Sequence, residues 1–475
     1  MTPRRRRGAA VAATAGALAA AALVPPPALA HGLVGRTDLP IPSWLFGWAA
    51  AMVLVVSFVA LGALWRQPRL QEAGGRPLLR IPGWVDVVCG AVGVAIFAVV
   101  VYAGLAGTGD TEQNLAPVFV YVLFWVGLVV ISALFGDVFR AFNPWRALGR
   151  AAGWAVGRMR GQAARTRRPY PERLGCWPAV AGLIGFAWLE LAYTDKADPR
   201  VVGWLALAYA AVQLAGMARY GVEAWSTRGD AFGVYFGLFA RLAPLERRDG
   251  VLRLRTPLAG APRFGAVPGA VALLCVAIGT TTFDGFSNGP VWSSLNPDLQ
   301  RFFGDLGAGA SARIELAATL GLVGCVLAVG GFYLLGIRGM RTVGEGHDTR
   351  ELAGRFAHTL IPIAFAYALA HYFSLLMVKG QAAGYLISDP LGDGSDIFGT
   401  ANATVDNGVV SSNVIWYVQV GALIVGHVCG LMLAHDRALA LYRGARQAAR
   451  SQYWMLVVMV GFTSLGLWLL SAVNQ

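Results

Sequence analysis

Residues 84–106 read WVDVVCGAVGVAIFAVVVYAGLA, an apolar run with a single charged side chain, Asp86. An α-helix of about 20 such residues crosses the hydrocarbon core of a bilayer, which is about 30 Å thick. The rest of the chain repeats this pattern, since its 475 residues are 56% hydrophobic and only 14% charged. Soluble proteins carry about 25% charged residues. The sequence therefore predicts an all-α integral membrane protein.

Ten apolar blocks of this kind predict a helical bundle of about ten transmembrane helices in a single polytopic transmembrane domain, residues 31–475. The predicted spans lie near residues 43–64, 84–106, 117–136, 175–195, 201–219, 266–284, 313–336, 356–379, 413–434 and 454–473. The five cysteines lie in or beside these blocks and form no C-x-x-C pair, which argues against a disulfide framework or a zinc site.

The first 30 residues, MTPRRRRGAAVAATAGALAAAALVPPPALA, have the three parts of a secretory signal peptide. A basic start precedes an alanine-rich apolar run, and helix-breaking prolines lead to a small-residue site that ends at Ala30. We therefore expect residues 1–30 to be a signal peptide that is cleaved before His31. The alternative is an uncleaved membrane anchor.

The loops between the predicted spans are of two alternating kinds. Arginine-rich loops, such as WRQPRLQEAGGRPLLR (65–80) and HDRALALYRGARQAAR (435–450), alternate with acid-containing loops such as TGDTEQNLAP (108–117). Loops rich in Lys and Arg stay in the cytoplasm. The alternation predicts a multi-pass protein of the cell (cytoplasmic) membrane whose mature N-terminus and C-terminus both lie outside.

Two arginine-rich stretches, near residues 137–174 and 220–265, are longer than simple connections. The first spaces large apolar side chains among arginines, which is typical of a helix lying in the interface against anionic headgroups. In the second, FGVYFGLFARLAPL predicts an apolar interfacial helix and RRDGVLRLRTPL a small hairpin around an Asp-Gly turn. Because membrane orientation explains the net charge of +13, nucleic acid is not an expected partner.

Four of the six histidines fall in two neighbouring spans, and ionisable groups inside a membrane are functional-site hypotheses. Helical geometry places His358 and His371 about 20 Å apart on nearly opposite faces. By depth, only His358 and His427 can share a level, which allows at most one bis-histidine site for haem or a metal. The alternative for both is a hydrogen-bonded packing role, and His435 is typical of an ordinary helix end.

Three further polar residues lie toward the outer face of the predicted bundle. Glu190 and Asp284 sit near the outer ends of their spans, and His371 lies in the outer half of its own. If these spans adjoin, the three side chains form an outward-facing polar pocket that holds a divalent metal or activates a water. We therefore take all three as candidate catalytic residues, with local hydrogen bonding at a helix end as the alternative for Glu190.

A cleaved N-terminus adds a copper hypothesis. The α-amino group and imidazole of His31 can chelate one copper ion, and His371 is the only other histidine on the outer side. The sequence also lacks G-x-x-x-x-G-K-[ST], G-x-S-x-G, H-E-x-x-H and C-x-x-C-H. These absences disfavour ATP-driven transport by this chain alone, serine-hydrolase chemistry and c-type haem.

The chain resembles a group of actinobacterial multi-spanning membrane proteins labelled fenitrothion hydrolase. The resemblance rests on HGLVGRTDLPIPSWLFGWAAA (31–51), FNPWRALGR (142–150), LAPLERRDGVLRLRTPL (242–258), TTFDGFSNGPVW (281–292), AHYFSLLMVKGQAAGYLISDPLGDGSDIFG (370–399) and VGHVCGLMLAHDRA (425–438). It implies hydrolysis of an organophosphorus triester such as fenitrothion, and it assigns no role to any single position.

Three classes of function follow. The first is a membrane hydrolase with an outer-face pocket that acts on a lipophilic phosphotriester. The second is a haem- or copper-binding redox or metal-handling protein. The third is a transporter or a subunit of a membrane-protein complex, in which buried polar groups line a path. The lipid bilayer is a partner in all three.

Overall fold

The computed structural model describes residues 43–71, 74–160, 168–343 and 346–472, and nearly all of them lie in helices or short connections. The elements, in chain order, are α1 (Ser43–Leu64), β1 (Arg76–Arg80), α2 (Gly83–Ala106), α3 (Leu115–Val118), a π-helix (Phe119–Gly127), α4 (Leu128–Phe135), α5 (Val138–Phe142), α6 (Pro144–Arg160), α7 (Trp177–Leu191), α8 (Pro199–Tyr220), α9 (Val222–Arg228), α10 (Ala231–Ala240), β2 (Leu245–Arg248), β3 (Val251–Leu254), α11 (Ala270–Ser287), α12 (Pro290–Asp305), α13 (Ala310–Met340), α14 (Thr349–Phe356), α15 (Ile361–Lys379), α16 (Ala383–Leu386), α17 (Ser412–Leu441), α18 (Ala445–Ser451) and α19 (Tyr453–Ala472).

Among the described residues, eight helices are long and apolar enough to cross a membrane. They are Gly83–Ala106, Leu115–Phe135, Glu172–Leu191, Pro199–Tyr220, Ala270–Ser287, Ala310–Val343, Thr349–Leu386 and Ser412–Leu441. Each overlaps one of the predicted spans, and the apolar helices α1 and α19 overlap the first and last. The structure therefore confirms the helical membrane fold, while the count of ten spans stays a prediction.

The two kinds of loop gather at opposite ends of the bundle. At the end that we call the basic end, Asp436 accepts hydrogen bonds from the backbone N–H groups of Arg69 and Leu70. At the other end, the acidic end, the Tyr385 hydroxyl donates to the carbonyl of Glu112 at 3.0 Å. The arginine-rich loops thus share one end of the molecule, as their alternation along the sequence predicts.

A three-stranded antiparallel sheet in the order β1-β3-β2 lies at the basic end. Its hairpin turns through Asp249 and Gly250, whose φ angles are 52° and 75°, so the predicted hairpin is confirmed. The Glu246 carboxylate on β2 lies 3.0 Å from the Arg255 guanidinium and 2.8 Å from that of Arg263. These ion pairs join the sheet to the loop that follows it.

The segment α5–α6 enters the bundle from the basic end and returns to it. Before the segment, Gly136 packs against the carbonyl of Leu245 on β2. At the junction between the two helices, the carbonyl of Phe142 packs so closely on Gly93 that a Cβ there would lie 1.7 Å from it. Gly93 is ten residues into α2, which is about 15 Å along its axis. The α5–α6 junction therefore lies deep inside the bundle.

The segment α9–α10 also enters the bundle from the basic end and returns to it. It leaves α8 at the basic end, and the Asp230 carboxylate at its tip accepts a 2.7 Å hydrogen bond from Tyr209. Tyr209 lies eleven residues before the end of α8, about 16 Å along its axis. The amides at the tip bond back to Trp225, with Gly229 N at 2.7 Å from its carbonyl oxygen. Such pairing is required of backbone at membrane depth.

Asp230 joins the tips of the two inserted segments. Its Oδ2 accepts hydrogen bonds from Asn143 Nδ2 at 2.8 Å and from Trp145 Nε1 at 2.7 Å. Both donors belong to the FNPWR stretch at the start of α6. A buried carboxylate with three side-chain donors is well satisfied, as buried polar groups in folded proteins generally are. We therefore assign Asp230 a structural role.

Within the stretches predicted to be interfacial, near residues 137–174 and 220–265, the structure shows a protein-buried helix at α10. Helix α10 is buried on all sides, with Phe236 and Phe239 fully inaccessible. Aromatic packing holds it, and Tyr235 stacks on Trp125 with ring centroids 4.7 Å apart. Lipid is as apolar as a protein core, so a hydrophobic helix fits either place. The far end of α6 does keep the predicted exposed apolar face, with Trp154 70% exposed.

Candidate functional site

An aspartate and a histidine meet inside the bundle, in the half nearer the acidic end. Asp284 lies in the last turn of α11, and His371 lies in the middle of α15. His371 Nε2 is 2.9 Å from Asp284 Oδ2, a distance at which an imidazole N–H donates to a carboxylate. Both side chains are buried. The other edge of the ring faces Gly285, where a Cβ would lie 3.7 Å from Nδ1.

Glu190 completes the group of three that the sequence predicts as a polar pocket. It lies in the last turn of α7, and it is only 4% exposed. Its carboxylate is close enough to Asp284 for their negative charges to interact. The oxygen Oε2 is buried without a hydrogen-bond partner among the described residues. The structure therefore brings Glu190, Asp284 and His371 into one cluster, which we call the acid–histidine cluster.

Tyrosines surround the acid–histidine cluster. The Tyr372 hydroxyl contacts the Asp284 carboxylate, and Tyr235 on the inserted helix α10 lies within electrostatic range of Glu190. Tyr121 also lies within range of Glu190 and donates to the carbonyl of Lys196 at 2.8 Å. Phenol groups can donate and accept protons in hydrogen bonds. The cluster is thus set among side chains able to pass or orient a proton.

A nine-residue π-helix, Phe119–Gly127, forms one wall of this region. It supplies Tyr121 and also Trp125, whose indole N–H is buried without a hydrogen-bond partner in the described part of the chain. π-Helical turns are rare and occur frequently at functional sites, because the wider turn costs backbone stability. The location of this segment beside the acid–histidine cluster supports a functional role for the cluster.

A divalent metal is one occupant that the sequence predicts for this pocket. Within the part of the chain that the structure describes, no three His, Cys, Asp or Glu side chains are grouped as metal ligands. The copper hypothesis that pairs His31 with His371 involves a residue outside the described ranges. His371 is engaged with Asp284 through Nε2, and an imidazole held by a carboxylate in this way occurs both in proton-exchanging pairs and in the outer shell of metal sites.

The two other candidate histidines lie at different levels. The ring of His427 packs against Tyr367, with centroids 6.0 Å apart, while His358 lies beside the carbonyl of Leu433. Six residues of α17 separate His427 from Leu433, or about 9 Å along the axis. Imidazole ligands of one metal lie about 2 Å from it. The structure therefore does not bring His358 and His427 together around one ion or one haem.

Sequence reasoning missed several residues of this region. Tyr372 directly follows His371, so its proximity could have been suspected from the chain itself. No pattern in the sequence points to Tyr235, because the sequence does not show that α10 enters the bundle. The same holds for Trp125 on the π-helix, which stacks on Tyr235.

Comparisons of the chain with protein-family models, with curated proteins and with solved structures find no match.

Proposed function

We propose that the protein conducts protons across its membrane through the acid–histidine cluster of Glu190, Asp284 and His371. The observation that carries this proposal is the 2.9 Å contact between His371 Nε2 and Asp284 Oδ2 inside the bundle. A carboxylate beside an imidazole lowers the cost of holding a proton on the ring, and a second carboxylate offers a place to pass it.

The setting of the cluster supports this function. Charged groups inside a membrane are costly, and in pumps and transporters chains of Asp, Glu and His serve as proton relays. Helices interrupted at membrane depth are a further property of secondary transporters. Here two inserted segments meet at Asp230, and one of them presents Tyr235 toward Glu190.

The test is proton flux into liposomes that contain the purified full-length chain and a trapped pH-sensitive dye. A potassium diffusion potential drives the flux in the absence of any other substrate. We expect acidification above that of protein-free liposomes. Asp284→Asn and His371→Gln should reduce the rate at least tenfold, because neither variant keeps both a proton acceptor and its carboxylate partner.

Asp249→Asn is the matched control, since Asp249 lies on the exposed hairpin turn, with its side chain 87% accessible. It should conduct like the wild type. A wild-type rate equal to that of protein-free liposomes would overturn the proposal, and so would unchanged flux in Asp284→Asn. Monodisperse elution of each variant in detergent separates loss of the pathway from loss of the fold.

Hydrolysis of a lipophilic phosphotriester is a second candidate, and the same contact favours it. A histidine oriented by a buried carboxylate is the arrangement of a general base that activates water. The test is release of nitrophenolate from a nitrophenyl phosphotriester by the purified protein. Turnover that is lost in His371→Gln and kept in Asp249→Asn would support hydrolysis, whereas equal rates in all three proteins would reject it.

A further inference from the structure

Several buried polar atoms between α15 and α17 lack hydrogen-bond partners among the described residues. They include His427 Nε2 and Gln419 Nε2 on α17. Neither nitrogen of His358 makes a hydrogen bond of normal geometry to the described residues, and the ring lies beside the carbonyls of Arg355 and Leu433. A buried polar atom without a partner costs about 1–3 kcal/mol. Ordered water is the usual partner of such atoms.

These groups lie at successive depths because α15 and α17 pack closely and run antiparallel. A Cβ at Gly426 would lie 2.2 Å from that of Ala366, and one at Gly430 would lie 3.0 Å from the carbonyl oxygen of Thr359. This register places His371 level with the Gln419 region of α17. The side chains can therefore be ordered by depth.

The order runs from the acid–histidine cluster to the basic end. His427 follows the level of His371 and Gln419 by about 12 Å, and His358 follows His427 by about 9 Å. Beyond His358 lies Arg437, near enough to interact with it. The guanidinium of Arg437 donates to the carbonyl of Pro262 at the basic end. Steps of this length exceed a direct hydrogen bond, and because each hydrogen bond spans about 2.8 Å, a file of about three waters is needed to bridge each of them.

The chemistry of His427 fits such a chain. Its Nδ1 lies 2.7 Å from the carbonyl oxygen of Leu423. A carbonyl only accepts hydrogen bonds, so Nδ1 carries the hydrogen and the neutral ring keeps its lone pair on Nε2. Nε2 can take a proton from one water and return it to the next, with no other bond formed or broken. His427 is 1% exposed, so only internal groups can exchange with it.

We propose that Gln419, His427 and His358 line a water-bridged proton path that connects the acid–histidine cluster to the basic end. This inference rests on the proposed proton translocation and adds the part of the path between the cluster and the basic end. Glu190, Asp284 and His371 serve the half nearer the acidic end. The histidines between α15 and α17 then carry protons through the remaining depth.

The experiment uses the same dye-loaded liposomes with His427→Gln and His358→Gln. Glutamine keeps a hydrogen-bonding side chain of similar length but does not take up a proton at neutral pH. We expect each variant to lower the flux at least tenfold. The matched control is His347→Gln, since His347 lies on a basic-end loop, 3.7 Å from Glu351, and this variant should conduct like the wild type.

The outcomes separate this inference from the proposed function. If Asp284→Asn blocks the flux while His427→Gln and His358→Gln conduct normally, the path is wrong and the cluster stands. If the wild type carries no flux, both proposals fail. An experimental structure that resolves water gives a second readout, independent of the variants. A water within about 3 Å of His427 Nε2 is expected, and a dry, apolar surrounding would overturn the path.

Discussion

Replacement of Asp230 by alanine tests whether the two inserted segments depend on each other. The change leaves three buried donors without an acceptor, namely Asn143 Nδ2, Trp145 Nε1 and the Tyr209 hydroxyl, which lie 2.7–2.8 Å from the carboxylate. Each orphaned donor costs about 1–3 kcal/mol. Allowing for relaxation around the smaller side chain, we expect the free energy of unfolding to fall by about 3–6 kcal/mol.

The assay is reversible unfolding in mixed micelles, followed by tryptophan fluorescence. Asp195→Ala, at an exposed position near the acidic end, is the control and should change the free energy by less than about 0.5 kcal/mol. Trp145→Phe should cost about 1 kcal/mol in the wild type and less in the Asp230→Ala background, because one orphaned donor disappears. A loss below about 1 kcal/mol for Asp230→Ala, or strict additivity of the two changes, would refute the reasoning.

Three further predictions concern the packing, the ion pairs and the orientation. Gly93→Ala forces a Cβ to within 1.7 Å of a carbonyl oxygen and should sharply lower the yield of monodisperse protein. The control is Gly157→Ala, where a Cβ meets nothing within 4 Å and the yield should not change. Equal yields of the two variants would contradict the deep α5–α6 junction. Burial raises the pKa of the Glu246 carboxyl, but its bonds to two arginines outweigh this and hold the pKa below its usual value of 4.5. The ionised carboxylate therefore stabilises the fold above about pH 4.5, and this stabilisation is lost as the pH falls through the lower folded-state pKa. Glu246→Gln should therefore lower the Tm at pH 7 by an amount that shrinks below about pH 4.5, and a constant difference from pH 3 to 7 would argue against the ion pairs. In a background without native cysteines, a membrane-impermeant thiol reagent should label Asn407→Cys in intact cells but Asp249→Cys only after permeabilisation, and the reverse would invert the predicted orientation.

The sequence predicted the helical membrane fold and the segregation of the loops because both depend on local properties. A run of about 20 apolar residues is long enough to span a bilayer whatever its neighbours are. Arginines fall in every second loop, and each span reverses the direction of the chain, so these loops must meet at one end. The Asp-Gly turn of the hairpin is equally local, because both residues adopt the positive φ angles that the turn requires.

The two inserted segments were decided only by tertiary structure. The apolar side chains of a helix such as α10 are about as stable against lipid as against a protein interior, because both surroundings are apolar. The composition of the helix therefore does not show which of the two surrounds it. Specific contacts hold it in place: Asn143, just before α6, and Trp145, within it, bond to Asp230 and lie 87 and 85 residues away in the chain. The prediction of an interfacial helix had no access to these contacts.

The acid–histidine cluster was predicted in part from the sequence and decided in part by the tertiary structure. The sequence placed Glu190, Asp284 and His371 near one depth, because depth follows from position within a span. It could not say that their helices adjoin, and the contact between Asp284 and His371 exists only because α11 packs against α15. For His358 and His427 the depth estimate itself failed. The close antiparallel packing of α15 on α17, through glycines that let the backbones approach, sets a register that no property of either helix alone contains. The sequence thus determines which end of a span a residue is nearer to, while its exact level, its lateral neighbours and the register are decided by the packing of side chains far apart in the chain.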